Sequence, residues 1–282
     1  MTRRVIDSHL HVWERDRNPQ TWIDSVSMSV IDRDFTPQDA VAQLRESAVD
    51  GCVVVQCVNT FSETLDLLSG AEPFAPILGI VGWVDLEADV TSQLDILRAA
   101  PGGSKLVGIR HVTTMEADES WLARPKVASG LKALATADVP FDVIVRPWQL
   151  PLVANLARTL NTSRFVLDHM GKPALTSSSL AQWSAELKIL AAHENVDTKV
   201  SGLITEDDWS ARGLDRLRPV VDHALEVFGP SRLMFGSDWP LAELAGGYQR
   251  WKDAYEELTA GLSAAEQAAI DSGNARRVYG LR

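Results

Sequence analysis

The chain is poor in several features that would mark large classes of protein. Only two cysteines occur among its 282 residues, and both lie in the segment CVVVQC. Read as a strand, that segment sets Cys52 and Cys57 roughly 16 Å apart on opposite faces, beyond disulfide reach. A disulfide framework is therefore excluded, neither thiol has the spacing of a zinc pair, and core packing is the expected role of both. No run approaches the roughly 20 apolar residues that span a bilayer, and no signal-peptide stretch opens the chain. The expectation is a soluble, cytoplasmic protein without a membrane partner. Basic residues are in deficit, 27 Lys and Arg against 38 Asp and Glu, for a net charge of −11. With no basic cluster to offset this field, nucleic acid is not an expected partner. No linker rich in Pro, Gly or Ser divides the chain, so residues 1–282 are expected to form one domain.

What recurs is a short apolar run rich in Val and Ile, followed by an amphipathic segment. VIDSH (5–9), CVVVQ (52–56), ILGIVGWV (77–84), KLVGIRH (105–111), FDVIVRP (141–147), RFVLDH (164–169), VDTKVSG (196–202) and RLMFGSD (232–238) make eight strand candidates. Between them, Leu180, Trp183, Leu187, Leu190 and Ala191 share one helical face, as do Leu217, Val220, Val221, Ala224, Leu225 and Phe228. Thr36, Pro37 and Asp39 read as a capped helix start, and PGGSK (101–105) as a turn rather than a phosphate loop. Alternating strands and helices imply parallel pairing with right-handed crossovers, and eight units imply closure. The fold class is therefore α/β: a single, distorted (β/α)8 TIM barrel with a long first loop (Val12 to Phe35) and one or two extra helices after Pro240. An open doubly wound sheet is the alternative, but its ligands gather at one switch point and not at the ends of the first, sixth and eighth strands.

Active sites of such barrels lie at the C-terminal ends of the strands, where the polar exceptions of this chain collect. His9 and His11 end strand one, Arg110 and His111 strand four, Arg146 strand five, Asp168 and His169 strand six, Ser201 strand seven and Asp238 strand eight. Side chains alternate across a strand, so His9 and His11 point to one place. By the same parity only one of Asp168 and His169 faces inward; His169 is the choice, with Asp168 in a structural hydrogen bond. Arg110 and His111 are left undecided, both being candidates for substrate contact. Arg146, extended before Pro147, suits a carbonyl or carboxylate, or else a buried ion pair. Trp13, Trp148 and Trp239 closely follow strands one, five and eight, placed to stack on a sugar ring or to close the barrel mouth. His193 and His223 fall on helices and are expected to be solvated. His9, His11, His169 and Asp238 together suit metal binding or acid/base chemistry.

The strings VIDSHLHVW, GIRH, FDVIVRPWQLP, FVLDHMGKP, KVSGL, MFGSDWP and NARRVYGL, spread in order over the whole chain, resemble the amidohydrolase superfamily. Within it they are most similar to the amidohydrolase-2 branch and its sugar-lactone hydrolases of the L-fucono- and L-rhamnono-lactonase type. The resemblance implies a hydrolase of carbohydrate metabolism with His9, His11, His169 and Asp238 in its site. Binuclear members carry a carboxylated lysine ending strand four and a histidine ending strand five. Here Lys105 begins its strand and Arg146 holds the later position, so two metal ions are not expected. The resemblance leaves one divalent ion, Zn²⁺, on His9, His11, His169 and Asp238, dispensable in some such lactonases. Asp238 would take a proton from water, and imidazoles, an arginine or the ion would stabilise the oxyanion of a small lactone. A metal-dependent decarboxylase of the same branch and a non-catalytic ligand-binding barrel are the rivals; a homo-oligomer is left open.

Overall fold

The computed structural model describes residues 4–175 and 180–282. Eight strands, β1 (Ile6–Leu10), β2 (Gly51–Val55), β3 (Ile77–Gly82), β4 (Leu106–Val112), β5 (Phe141–Ile144), β6 (Phe165–Leu167), β7 (Val196–Val200) and β8 (Leu233–Phe235), pair in sequence order. The seven ladders are parallel. Beyond the end of β8, a parallel bridge between Leu10 and Trp239 joins the last strand to the first. Two side-chain bonds reinforce that seam: Ser8 Oγ donates to the Phe235 carbonyl at 2.6 Å, and the Ser237 amide donates to Asp7 at 2.9 Å. The strands are buried almost throughout, as expected when helices cover a parallel sheet.

Helices α1 (Pro37–Glu46), α2 (Phe61–Ala71), α3 (Val90–Ala99), α4 (Pro125–Thr136), α5 (Leu150–Thr159), α6 (Leu180–Ala191) and α7 (Arg218–Phe228) connect successive strands. The Thr36 reading holds: its hydroxyl accepts the Asp39 amide while Asp39 accepts the Thr36 amide, a reciprocal capping box. PGGSK is a turn running into a short 3₁₀ segment. The long first loop holds a 3₁₀ turn (Ser29–Ile31) and is pinned by the Trp13–Phe35 bridge.

After β8 come α8 (Gly247–Leu258), then α9 (Ala264–Ala268) and α10 (Asn274–Tyr279) joined by a π-helical turn (Ala269–Gly273). Ala275, Val278, Tyr279 and Leu281 pack against Ile6, Val53, Val55, Val81, Val166 and Met234. The chain's own C-terminal helix thereby closes the barrel end opposite His9 and Asp238. Among the described residues no helix is long and apolar enough to cross a membrane.

Two helical histidines depart from expectation. His193 lies just past α6 and is only partly exposed. His223 is only partly exposed too: its Nε2 sits 2.9 Å from both Ser184 Oγ and the Ser184 carbonyl, and its ring meets the Trp183 ring. The apolar face of α6 leaves this short polar seam against α7.

Candidate active site

The three ends β1, β6 and β8 meet at the C-terminal mouth. β1 brings His9 and His11 to one side, their Nε2 atoms 3.2 Å apart. Asp238 follows β8 with a left-handed φ of 59°; its amide donates to the His9 carbonyl at 2.7 Å, and the His11 amide donates to the Trp239 carbonyl at 2.6 Å. From that position Asp238 Oδ1 lies 3.3 Å from His11 Nε2, 3.7 Å from His9 Nε2 and 3.8 Å from His169 Nε2. Two glycines make the approach feasible. A Cβ at Gly236 would come within 2.8 Å of the His9 Cβ, and one at Gly202 within 2.6 Å of His169 Nδ1.

Strand parity fails at β6. The strand stops at Leu167, and His169, Met170 and Lys172 take φ values of 53°, 51° and 53°. Both Asp168 and His169 therefore turn into the site: His169 Nδ1 meets Ser201 Oγ at 2.8 Å, and Asp168 Oδ1 faces His9 Nδ1 at 3.2 Å. Asp168 makes the structural hydrogen bond expected of it, to Arg110, but does so inside the site. Strand four, left open by the sequence, is now decided. Arg110 enters, with Nη1 2.9 Å from Asp168 Oδ2 and 3.4 Å from His9 Nε2. His111 turns away. It stacks on Trp121 at 3.7 Å, accepts the Trp83 indole N–H at 3.0 Å and meets Glu116 at 2.8 Å, so it fastens loops and does not line the cavity.

A backbone carbonyl assigns the tautomer of His11. His11 Nδ1 bonds the Val55 carbonyl at 2.7 Å, so it carries the proton and leaves Nε2 bare. With Nδ1 of His9 facing Asp168 and Nδ1 of His169 facing Ser201, all three Nε2 atoms converge on Asp238. Burial drives the pKa of His9 well below its ordinary value and that of His169 down to about 4, against the pull of Asp168 and Asp238 respectively. Burial also opposes ionisation of Asp238, but the facing imidazoles, His169 first, hold it below the usual carboxylate range. The result is an ionised carboxylate beside the neutral imidazoles of His9 and His169, the protonation state that metal binding requires.

Both Asp238 carboxylate oxygens are buried without a hydrogen-bond partner, and His9, His11 and Asp238 offer ligand atoms close enough to share one ion. Tetrahedral zinc with bonds of about 2.0–2.1 Å spaces its ligands about 3.3 Å apart. The 3.2 and 3.3 Å edges match that spacing, and the 3.7 and 3.8 Å edges need little contraction. The donor set fits a single divalent ion.

Above it opens a cavity of about 310 Å³, at the lower end of the ~300–1,000 Å³ range of small-molecule sites. Trp22, Val112, Met115, Ile144 and Leu241 form its apolar walls; Arg110, Arg146 and Lys172 supply cations. Arg146 is not in a buried pair: its side chain is 45% exposed and Nη1 lies 4.0 Å from Glu206. Of the two tryptophan readings, stacking on a bound ring is the one the cavity lining corrects. Trp13 and Trp239 are buried edge-on against Phe35, while Trp148 is 58% exposed, and none of the three lines the cavity. Trp22, from the long first loop, does so instead. Cys57 also borders the cavity, although packing alone was expected of it.

A family model described as amidohydrolase matches residues 6–281. The chain belongs to the amidohydrolase family. It is 38% identical over 293 residues to an L-fucono-1,5-lactonase of Burkholderia multivorans, covering 98% of this chain and 96% of that one. The corresponding figures for an L-fucono-1,5-lactonase of Burkholderia ambifaria are 35% over 288 residues, 99% and 96%. Among solved structures, a zinc-bound amidohydrolase from Burkholderia multivorans superposes with a TM-score of 0.92 at 37% identity, covering 99% of this amidohydrolase and all of that chain.

Sequence reasoning about this amidohydrolase missed Lys199, Asp142 and Tyr279, which lie beneath the imidazoles. Lys199 Nζ is 2.5 Å from Asp142 Oδ2, and Tyr279 Oη donates to Asp142 at 2.8 Å. The signal was present in VDTKV and FDVIV. A charged residue inside a strand buried on both sides requires a buried counter-charge.

Proposed function

We propose that this amidohydrolase is a lactonase that opens a sugar (aldono) lactone, of the L-fucono-1,5-lactone type, to its aldonic acid by attack of water. The observation that carries the reading is the likeness over nearly full length to two lactonases acting on such a ring. The site chemistry supports it. Asp238, ionised at the cavity floor, takes a proton from water as the water oxygen bonds to the ring carbonyl carbon. The Arg110 guanidinium, whose Nη1 borders the same floor, is placed to receive the developing oxyanion. Collapse of the tetrahedral centre breaks the bond to the ring oxygen, which recovers the proton from Asp238 and leaves as an alcohol. The new carboxylic acid then ionises.

A carboxylate held this acidic is always ready but is a weak base. Polarisation of the carbonyl must therefore carry much of the barrier reduction, and an ester tolerates this division better than an amide. His9, His11, His169 and Asp238 would hold one divalent ion, zinc being favoured by the metal in the structural relative; when bound it supplies Lewis-acid polarisation. Arg146 and Lys172 lie at the cavity rim, suited to substrate hydroxyls and to the product carboxylate.

A pH-indicator screen of aldonolactones, run on metal-stripped and zinc-loaded protein, tests the reading. Acid release from at least one five- or six-carbon lactone is expected, with ¹⁸O from solvent entering the carboxylate. Label in the alcohol would refute acyl attack, CO₂ release from an aromatic acid would favour decarboxylation, and binding without turnover would favour a ligand-binding barrel.

A further inference from the structure

His9, Asp168 and His169 form a second group whose donor atoms lie close enough to share an ion. Taken alone, it would extend the site toward a two-ion centre. Its surroundings argue otherwise. Asp168 Oδ2 is held at 2.9 Å by Arg110 Nη1, and its Oδ1 lies 3.1 Å from Lys199 Nζ. Lys199 also stands 3.0 Å from His9 Nδ1. His9, Asp168 and Lys199 are fully buried, and Arg110 almost so, leaving little water to screen a further cation.

Lys199 is fixed from below by Asp142, which is held in turn by Tyr279 Oη from the C-terminal helix. We propose that Arg110 and Lys199 are resident cations standing where a second divalent ion would bind, so that Asp168 stays outside the coordination sphere and serves as the positioning residue of His9. This rests on the single-ion reading above and explains its stoichiometry from within the barrel. Asp168 Oδ1 faces His9 Nδ1 at 3.2 Å and so orients the ring with Nε2 toward Asp238; the cations hold Asp168 in that role.

The test is metal stoichiometry and affinity, read by elemental analysis after equilibrium dialysis against Zn²⁺ and by Co²⁺ absorption. The unmodified protein is expected to retain one ion per chain. Asp168→Asn should still retain one, with affinity lowered about 10- to 100-fold, the usual cost of losing a carboxylate behind a ligand histidine. The charge-neutral double variant Asp142→Asn with Lys199→Met keeps the Tyr279 bond and roughly the buried volume while removing the ammonium. It should take up a second ion.

Two ions on the unmodified protein, unchanged affinity in Asp168→Asn, or a folded double variant that still holds one ion would each overturn the proposal. No tight ion on the unmodified protein would remove the single-ion reading and this inference together, whereas one ion with unaltered Asp168→Asn affinity removes only the inference. Should the double variant fail to fold by near-ultraviolet circular dichroism, the Asp168→Asn affinity decides.

Discussion

Asp238→Asn separates chemistry from architecture at the residue on which the proposed mechanism turns. Asparagine preserves the size of the side chain and tolerates the φ of 59° at this position at least as well as aspartate. The backbone bonds from residue 238 to His9 and from His11 to Trp239 do not involve the side chain, so the seam between β8 and β1 should persist. What disappears is the ability to accept a proton at neutral pH. General-base assistance is worth about 10²- to 10⁴-fold, or about 2.7–5.5 kcal/mol of barrier, and kcat should fall by at least the lower figure. The charge loss also weakens any bound ion, so rates must be compared at saturating metal with metal content measured on the same sample. The assay is proton release on the best aldonolactone, with spontaneous hydrolysis subtracted, alongside a thermal melt. A folded, metal-matched variant whose kcat stays within tenfold of the parent would refute Asp238 as the base and move the role to an imidazole. Lost stability with turnover retained would show instead that Asp238 only shapes the turn before Pro240.

Stripping the protein with a chelator should lower activity, and one equivalent of Zn²⁺ should restore it. Full activity after verified removal would transfer oxyanion stabilisation to Arg110 and its neighbours. Arg146→Met, at the half-exposed rim, should raise KM about tenfold while changing kcat little, the pattern of lost uniform binding; an equal fall in kcat and kcat/KM would place Arg146 on the transition state instead. Glu63 offers a pH test at a group that bonds none of the imidazoles. Burial raises its pKa from 4.5 to about 7, although the Cys57 and Val58 amides donate to it. Between those values the folded state keeps a proton that the unfolded chain has lost, so this group's contribution to stability declines as pH rises through the window. The decline is at most of order 3 kcal/mol. Glu63→Gln should flatten that part of the stability–pH curve measured by urea unfolding, and an unchanged slope would show that Glu63 titrates normally.

The barrel was legible because its signal is redundant: eight apolar runs, each followed by an amphipathic segment, leave few architectures to consider. The convergence of four candidate residues was legible for a related reason, since His9, His11, His169 and Asp238 are polar interruptions at the same end of otherwise apolar strands. The misreadings have local causes. Parity assumes that a strand continues, and β6 ends at Leu167, so left-handed backbone at His169 brings Asp168 and His169 inward together. The tryptophans were judged by distance from strand ends, but Trp13 and Trp239 sink into the Phe35 cluster while Trp22, in a loop without periodicity, reaches the cavity. Lys199 and Asp142 sat inside strands treated as uniformly apolar, where alternation indicates direction but not which opposite charge will be met.

The site's location at the barrel seam has a physical consequence. His9 and His11 come from the first strand and Asp238 from just after the last, so more than two hundred residues separate groups that meet within 4 Å. The same few residues also supply the backbone bonds that carry pairing past the end of β8. Assembly of the His9, His11 and Asp238 cluster and closure of the barrel thus depend on the same residues. Asp7 ties them further, accepting the His9 and Ser237 amides and the Tyr248 hydroxyl of α8. An unpartnered carboxylate at Asp238 is tolerable there because the closed barrel fixes it from its backbone and not from its side chain. The side chain is left free to meet an ion, a water or a substrate.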